Sequence, residues 1–334
     1  MSKQLIITGM HRSGTSLVTN VIQETGVHIG ENLLGSYKGN KHGHFEDFDF
    51  LYLHENILRR FGETPFTQTR LTPNQIMTTE RDMALHLIKQ REAYQLWGWK
   101  DPRTALFLDF WHDLLPDATY IFVYRHPFEV ISSLVRRGTD IEILAAPHIG
   151  LQAWQTYNQA ILDFYQQHPE NSILCNIHSL ISNIPSFVNL IAKKFELSLK
   201  AGRSQKLFDP HEFHRFSLAY TPQVMELLEL ISPNVATLYN ELEKHANIPH
   251  LTLKQDDLTP VSNRDTLDKI AHLRTRIMLQ EINAHLIIFE LLALLDPEAV
   301  LGIPSRAKEL SQEYSRIKTD YMVLLVQTSH PPTG

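Results

Sequence analysis

Gly9-Met10-His11-Arg12-Ser13-Gly14-Thr15-Ser16 follows the apolar run Leu5-Ile6-Ile7-Thr8 and leads into Leu17, Val18 and Val21, which recur with helical spacing. A strand, a glycine-bounded loop and a helix start form a phosphate cradle, because loop N–H groups and the positive helix end face the same anion. The spacing is that of nucleotide-binding loops: Gly, four residues, Gly, then two more. Thr15 stands where a nucleotide hydrolase carries Lys, and the cation sits inside the loop, at Arg12. That pattern points away from ATP hydrolysis and toward another phosphate-bearing donor. A second group of the same kind follows Thr119–Tyr124, a run of β-branched and aromatic residues that reads as a buried strand. It ends in Arg125-His126-Pro127, with Pro127 suited to a helix start and Ser133 eight residues after Arg125. Ligands of open α/β sheets bind at the carboxyl ends of strands. Two strand ends therefore each offer an Arg and hydroxyls.

With these residues the chain resembles the sulfotransferases that use 3′-phosphoadenosine 5′-phosphosulfate (PAPS). Arg12-Ser13-Gly14-Thr15-Ser16 is similar to their 5′-phosphosulfate loop. Arg125 through Ser133 is similar to their 3′-phosphate motif. Trp97-Gly98-Trp99-Lys100-Asp101-Pro102-Arg103 is similar to a Lys-x-Pro segment of bacterial and protein-tyrosine members. The resemblance covers residues 4–198 well, 199–247 loosely and 250–334 not at all. It implies a soluble enzyme that moves SO₃⁻ from PAPS, as co-substrate, to a hydroxyl or amine acceptor. It implies that Arg12, Ser13, Gly14, Thr15 and Ser16 hold the 5′-phosphosulfate and that Arg125 and Ser133 hold the 3′-phosphate. Lys100 and Arg12 then neutralise charge that builds on the departing bisphosphate, the kind of preorganised electrostatics that dominates many catalysed transfers. Where family members often carry Tyr-Glu after the fourth strand, this chain has Ile177-His178.

An acceptor hydroxyl must also lose its proton as it attacks. Gly43-His44-Phe45-Glu46-Asp47 offers two candidate bases. Glu46 resembles an acidic residue of prokaryotic members in a Gly-aromatic-aromatic-Glu context, and His44 has the better-placed ordinary pKa. Glu31 is a third candidate. A glutamate at a helix start also has a plain use beside the helix dipole. No metal is expected: His42-x-His44 lacks a third ligand, and His211-Glu-Phe-His214 has the wrong spacing for a zinc-protease helix. Two other functions compete with sulfuryl transfer. One is a P-loop kinase or nucleotide-binding protein, for which Asp101 is the sole candidate metal-binding strand-end residue. The other is a non-catalytic bisphosphate-binding fold whose C-terminal helices bind a partner.

The elements that must position these groups alternate. Strands are expected at Leu5–Thr8, Tyr94–Trp99, Thr119–Tyr124 and Ser172–Ile177. Helices are expected at Thr15–Thr25, Glu46–Phe61, Thr104–Leu114, Pro127–Arg137, Leu151–Gln167 and Ile184–Phe195, with 62–78 a loop. Strands separated by helices imply an α/β fold, three layers with helices on both faces of a central parallel sheet. The sulfotransferase-like domain is expected over 1–247. A helical extension follows over 250–334, built from Asn263–Leu295 and Arg306–Gln327, as a hairpin, a lid or a dimer-forming coiled coil.

The whole chain sets outer bounds. Its 334 residues are 43% hydrophobic and 20% charged, enough for a full core. A net charge of −6 gives no general surface for polyanions, so nucleic acid is not an expected partner. A polyanionic donor must meet a local cluster instead. The single cysteine, Cys175, cannot form an internal disulfide. The first strand is expected to begin by Gln4, so no leader is expected, and no apolar run is long enough to span a membrane. The expectation is a cytoplasmic protein acting on a small molecule or glycan: a glycan, glycolipid or secondary-metabolite hydroxyl, received by loops at 31–80 and 138–150.

Overall fold

In the computed structural model the described residues are 2–35, 45–200, 221–250, 266, 268–273 and 284–295. Four parallel strands, β1 (Lys3–Thr8), β2 (Leu96–Trp97), β3 (Thr119–Tyr124) and β4 (Ser172–Asn176), form a sheet in the order β2-β1-β3-β4. The register runs Leu5 to Thr119 through Thr8 to Phe122, and Tyr120 to Ser172 through Tyr124 to Asn176. The chain leaves β1 toward β2 on one side, and returns to β3 on the other. That divergence makes the carboxyl ends of β1 and β3 the switch point at which such sheets form their ligand crevice.

Strand alternation divides the core in two. Ile6, Tyr120, Phe122, Tyr124 and Leu174 face one helical layer, and Leu5, Ile7, Ile121, Val123, Ile173 and Cys175 face the other. Helices α1 (Thr15–Glu24), α8 (Ile177–Ser182) and α9 (Ile184–Lys194) contribute apolar residues to the second cluster. The first cluster takes α2 (Phe48–Arg60), α3 (Thr78–Arg91), α4 (Leu108–Leu114), α5 (Pro127–Arg137), α6 (Ile141–Ala145) and α7 (Pro147–Gln167), with α10 (Pro222–Ile231) and α11 (Pro233–His245). Three layers result, as the alternation of elements requires. In the expected extension, helix Ala284–Leu295 packs on α7, and Ile288, Leu291, Leu292 and Leu295 join the main core. The expected helix at Arg306–Gln327 lies outside the described residues.

Several boundaries differ from expectation, each for a local reason. Tyr94–Trp99 pairs as a strand only at Leu96–Trp97. A Cβ on Gly98 would lie 1.8 Å from the Leu5 carbonyl oxygen, so the backbones touch there and only glycine fits. Thr104–Leu114 is not one helix. A 3-10 turn, Pro102–Leu106, capped by Asp101, ends at Phe107, and α4 starts anew. Helix α3 has no counterpart among the expected helices: its exposed Met83 and Leu85 blur the apolar stripe that marks a helix in sequence. Among the described residues no helix is long and apolar enough to cross a membrane.

Candidate functional site

The glycine-bounded loop leaves β1 with Gly9, whose added Cβ would lie 2.1 Å from the Val123 carbonyl oxygen, so β1 and β3 approach closely at the mouth of the crevice. Gly9→Ala is therefore expected to separate the two strand ends and to abolish nucleotide binding while most of the fold persists, as read by calorimetry beside circular dichroism. Arg12 has φ 68° and Gly14 has φ 94°, both left-handed. These two residues wrap the loop, and Gly14 passes the chain into α1 at Thr15. The leading N–H groups of a helix have no intrahelical acceptor, so the loop and helix start point donors the same way. Ser13 Oγ is buried and has no hydrogen-bond partner among the described residues. An unused hydroxyl within a wrapped loop fits an oxyanion ligand.

Arg12 crosses to α5, where its Nε donates to Ser133 Oγ at 2.8 Å. Thus the loop after β1 and the motif after β3 are one hydrogen bond apart. Arg125 Nε donates to Glu129 Oε2 at 3.0 Å, and Arg125 Nη1 lies 3.5 Å from the Arg12 carbonyl oxygen. His178 Nε2 is 2.7 Å from the same Glu129 oxygen. The Arg125 and His178 charges hold Glu129 down at a pKa of about 2, against burial that pushes it up. Burial, with Arg137, Arg125 and Arg136 close by, lowers Arg12 to about 10. Asp140 and Glu129 offset part of this positive charge, and a polyanion would offset more of it.

Lys100 and Glu46 meet on the other side of the loop. Lys100 Nζ donates to Glu46 Oε1 at 2.6 Å, and both side chains are buried. The backbone sets both residues. Phe45 has φ 56°, the Glu46 carbonyl accepts from Leu34 N at 2.7 Å, and Asp47 rather than Glu46 caps α2 by accepting from Asp49 N at 3.0 Å. The helix-dipole use for Glu46 therefore does not apply. Lys100 bridges to Ile7 of β1, and the next residue, Asp101, is a buried anchor. Asp101 Oδ2 accepts from His54 Nδ1 at 2.8 Å. Its Oδ1 accepts from the Arg103 backbone N at 2.9 Å and from Arg103 Nη1 at 3.0 Å. His54 Nε2 takes the Trp111 indole N–H at 2.8 Å, which fixes Nδ1 as the protonated nitrogen. With both carboxylate oxygens engaged, Asp101 does not present a metal ligand. Among the described residues no group of three or more His, Cys, Asp or Glu is placed to hold a metal ion.

The structure thus brings Arg12, Ser13, Gly14, Thr15, Ser16, Arg125 and Ser133 to one crevice and pairs Lys100 with Glu46. Glu31 is elsewhere in its bonding: it accepts the Tyr94 hydroxyl at 2.8 Å at an exposed position. His44 lies outside the described residues. Sequence reasoning missed Glu129 and Arg137, and noted His178 only as a departure from the family pattern. The four-residue spacing of Arg125 and Glu129 was the signal for that pair, although Arg125 itself precedes α5, and no feature of the sequence singled out Arg137. It also missed His11, whose Nε2 is enclosed and unpartnered.

A family model described as "Sulfotransferase family" matches residues 4–198. No curated protein sequence matches the chain. Among solved structures, the sulfotransferase domain of the Synechococcus PCC 7002 olefin synthase is similar at 18% identity, over 81% of this chain and 94% of that one, with a TM-score of 0.40. The sulfotransferase domain from the curacin biosynthetic pathway is similar at 16% identity, over 82% of this chain and 97% of that one, with a TM-score of 0.38. The sulfotransferase STF9 from Mycobacterium avium is similar at 13% identity, over 82% and 76%, with a TM-score of 0.40.

Proposed function

The chain belongs to the sulfotransferase family, and from that premise we propose that it transfers a sulfuryl group from PAPS to a hydroxyl or amine of a small-molecule or glycan acceptor. The bond from Arg12 to Ser133 at 2.8 Å carries the reading. It joins two anion-binding strand ends closely enough for one nucleotide with phosphates at both its 5′ and 3′ positions to occupy both. A nucleotide with one phosphate group leaves half of this arrangement without a ligand.

PAPS supplies an activated sulfuryl group, already bonded to a good leaving phosphate. The residues supply position and charge. Arg12, the Ser13 hydroxyl and the N–H groups at the start of α1 hold the 5′ end, and Arg125 with Ser133 holds the 3′-phosphate. Charge-assisted hydrogen bonds of this kind contribute about 1.5–3 kcal/mol each. Lys100 neutralises the charge that builds on the leaving oxygen, and Glu46 takes the acceptor proton. In the structure Lys100 and Glu46 are bonded to each other. A donor's negative charge competes for Lys100, and the carboxylate then becomes available as a base only when the site is loaded. A kinase reading is weaker, since Thr15 replaces the loop Lys and Asp101 is committed to His54 and Arg103.

Calorimetry without magnesium tests the assignment. Adenosine 3′,5′-bisphosphate is expected to bind at least tenfold more tightly than AMP, in the range of about 1.5–3 kcal/mol for a charge-assisted contact. Arg125→Ala is expected to remove most of that preference and leave AMP affinity nearly unchanged. Equal affinity of the wild-type protein for the two nucleotides would sink the 3′-phosphate assignment.

A further inference from the structure

His11 stands inside the phosphate loop, next to Arg12, and has no part in the reaction described so far. Phe66 and Tyr157 frame its ring at centroid distances of 5.9 and 6.0 Å. Its Nε2 is closed off from solvent and has no hydrogen-bond partner among the described residues. Native structures seldom leave a buried polar atom idle, and such atoms are common where a ligand completes the bonding. The aromatic frame has no proton to give a bare Nε2, since the Tyr157 hydroxyl already donates to the Pro65 carbonyl at 2.7 Å.

Charges reach this ring from several elements. Lys100, Asp101 and Arg103 act from the segment after β2, and Arg137 acts from the end of α5. Arg12 adjoins it in the loop. Asp101 favours the protonated form, but its oxygens are bonded to His54 and Arg103. Burial first, then Arg103 and Arg137, hold the ring neutral, well below the ordinary histidine range. This balance counts the protein's own charges. A phosphate seated in the loop brings negative charge to the side where cations repel the proton, and an opposite charge within 4–6 Å shifts a titration by about one to three pH units.

We propose that His11 takes up a proton at Nε2 when an anionic nucleotide occupies the loop, and then stands with Arg12 and Lys100 as a third cation against the 5′-phosphate. The proposal rests on the reading that this loop binds the 5′ end of the nucleotide. Binding uncovers Nε2 as the loop closes on the nucleotide, the proton comes from solvent, and the new Nε2–H donates to a phosphate oxygen. An imidazole that charges only in the complex avoids repulsion among cations in the unliganded protein. It also supplies positive charge where the leaving group gains negative charge. Since the complex binds more protons than the free protein, nucleotide affinity through His11 rises as pH falls.

The test is titration of adenosine 3′,5′-bisphosphate into wild-type protein and His11→Gln, near pH 7, in buffers that differ in ionisation enthalpy. The nucleotide's own phosphates exchange protons equally in both, so the difference belongs to His11. Wild type is expected to take up more protons than His11→Gln, by about half a proton or more per nucleotide bound. The ratio of wild-type to His11→Gln affinity is expected to fall about tenfold from pH 6 to pH 8. Imidazole nitrogen shifts of the wild-type protein, read by NMR, are expected to move from neutral to imidazolium on saturation, a measurement that does not need the substituted protein to fold. Equal proton uptake in both proteins with binding intact, or a ring that stays neutral in the complex, overturns the proposal. Absence of nucleotide binding by the wild type would instead overturn the PAPS reading on which it rests.

Discussion

Glu46→Gln is expected to lower sulfuryl transfer about a hundredfold or more while adenosine 3′,5′-bisphosphate affinity stays near wild type. The variant keeps the shape of the side chain and an oxygen that can accept from Lys100, and it loses the ability to take a proton. General-base catalysis contributes about 10²–10⁴-fold, so loss of the base appears in turnover rather than in donor binding. The assay is release of the bisphosphate from PAPS in the presence of a panel of hydroxyl and amine acceptors. Lys100→Ala gives the contrast. It also lowers turnover, because the ammonium acts on charge that appears in the transition state, but it leaves Glu46 without its partner at 2.6 Å. The two effects are not expected to add, since each residue is the other's partner and contacts in one network are coupled. A Glu46→Gln enzyme with most of its activity would remove the carboxylate from the base role. A Lys100→Ala enzyme that changed only in donor affinity would remove the ammonium from catalysis.

The proposed phosphate-binding part of this arrangement was legible in the sequence because it is local. The loop from Gly9 to Ser16 lies between one strand and one helix, and Arg125 to Ser133 is a strand end and a helix start with Pro127 marking the join. Strand β3 is β-branched or aromatic at every position, so β3 and α5 have the ends that the residues imply. The Lys100–Glu46 pair could not be read that way, since its members are 54 residues apart and depend on a left-handed Phe45 and on the contact of Gly98 with β1. In sequence Glu46 reads as a helix start. Asp47 fills that place, and only the folded chain shows that Glu46 turns inward to Lys100. His178 was legible as a departure from the family pattern but not as a partner of Glu129. That contact needs α8, a short helix where a strand end was expected.

Asp101→Asn is expected to destabilise the fold by about 3–5 kcal/mol, the usual cost of leaving a buried charge without its partner. Arg103 would lose the buried counter-ion at 3.0 Å and keep only the more exposed Glu55 at 2.8 Å. His54, whose other nitrogen is held by Trp111, would present its Nδ1–H to whichever end of the amide faced it. A fall in melting temperature on the order of 10 °C follows for a domain of this size. Turnover is expected to fall as well, because Asp101 anchors the segment that aims Lys100. The pH dependence separates this from a general loss of packing. Burial alone would raise the Asp101 pKa, but Arg103 and His54 hold it well below the ordinary carboxylate range. A depressed carboxylate gives stability that is present above its unfolded pKa, about 3.9, and is lost as pH falls toward the folded value. The gap between wild type and Asp101→Asn is therefore expected to be widest above about pH 5 and to narrow in acid. His126, held by burial at about 3, and His250, at about 4, act in the same direction on both proteins: each must charge on unfolding below about 6.5. Both proteins should begin to lose stability below about pH 6.5, and only the wild type should lose the Asp101 increment below about 4. Thermal melts from about pH 3 to 8 read the two limbs separately. A gap that stays constant down to pH 3 would show that the Asp101 charge does not hold the segment.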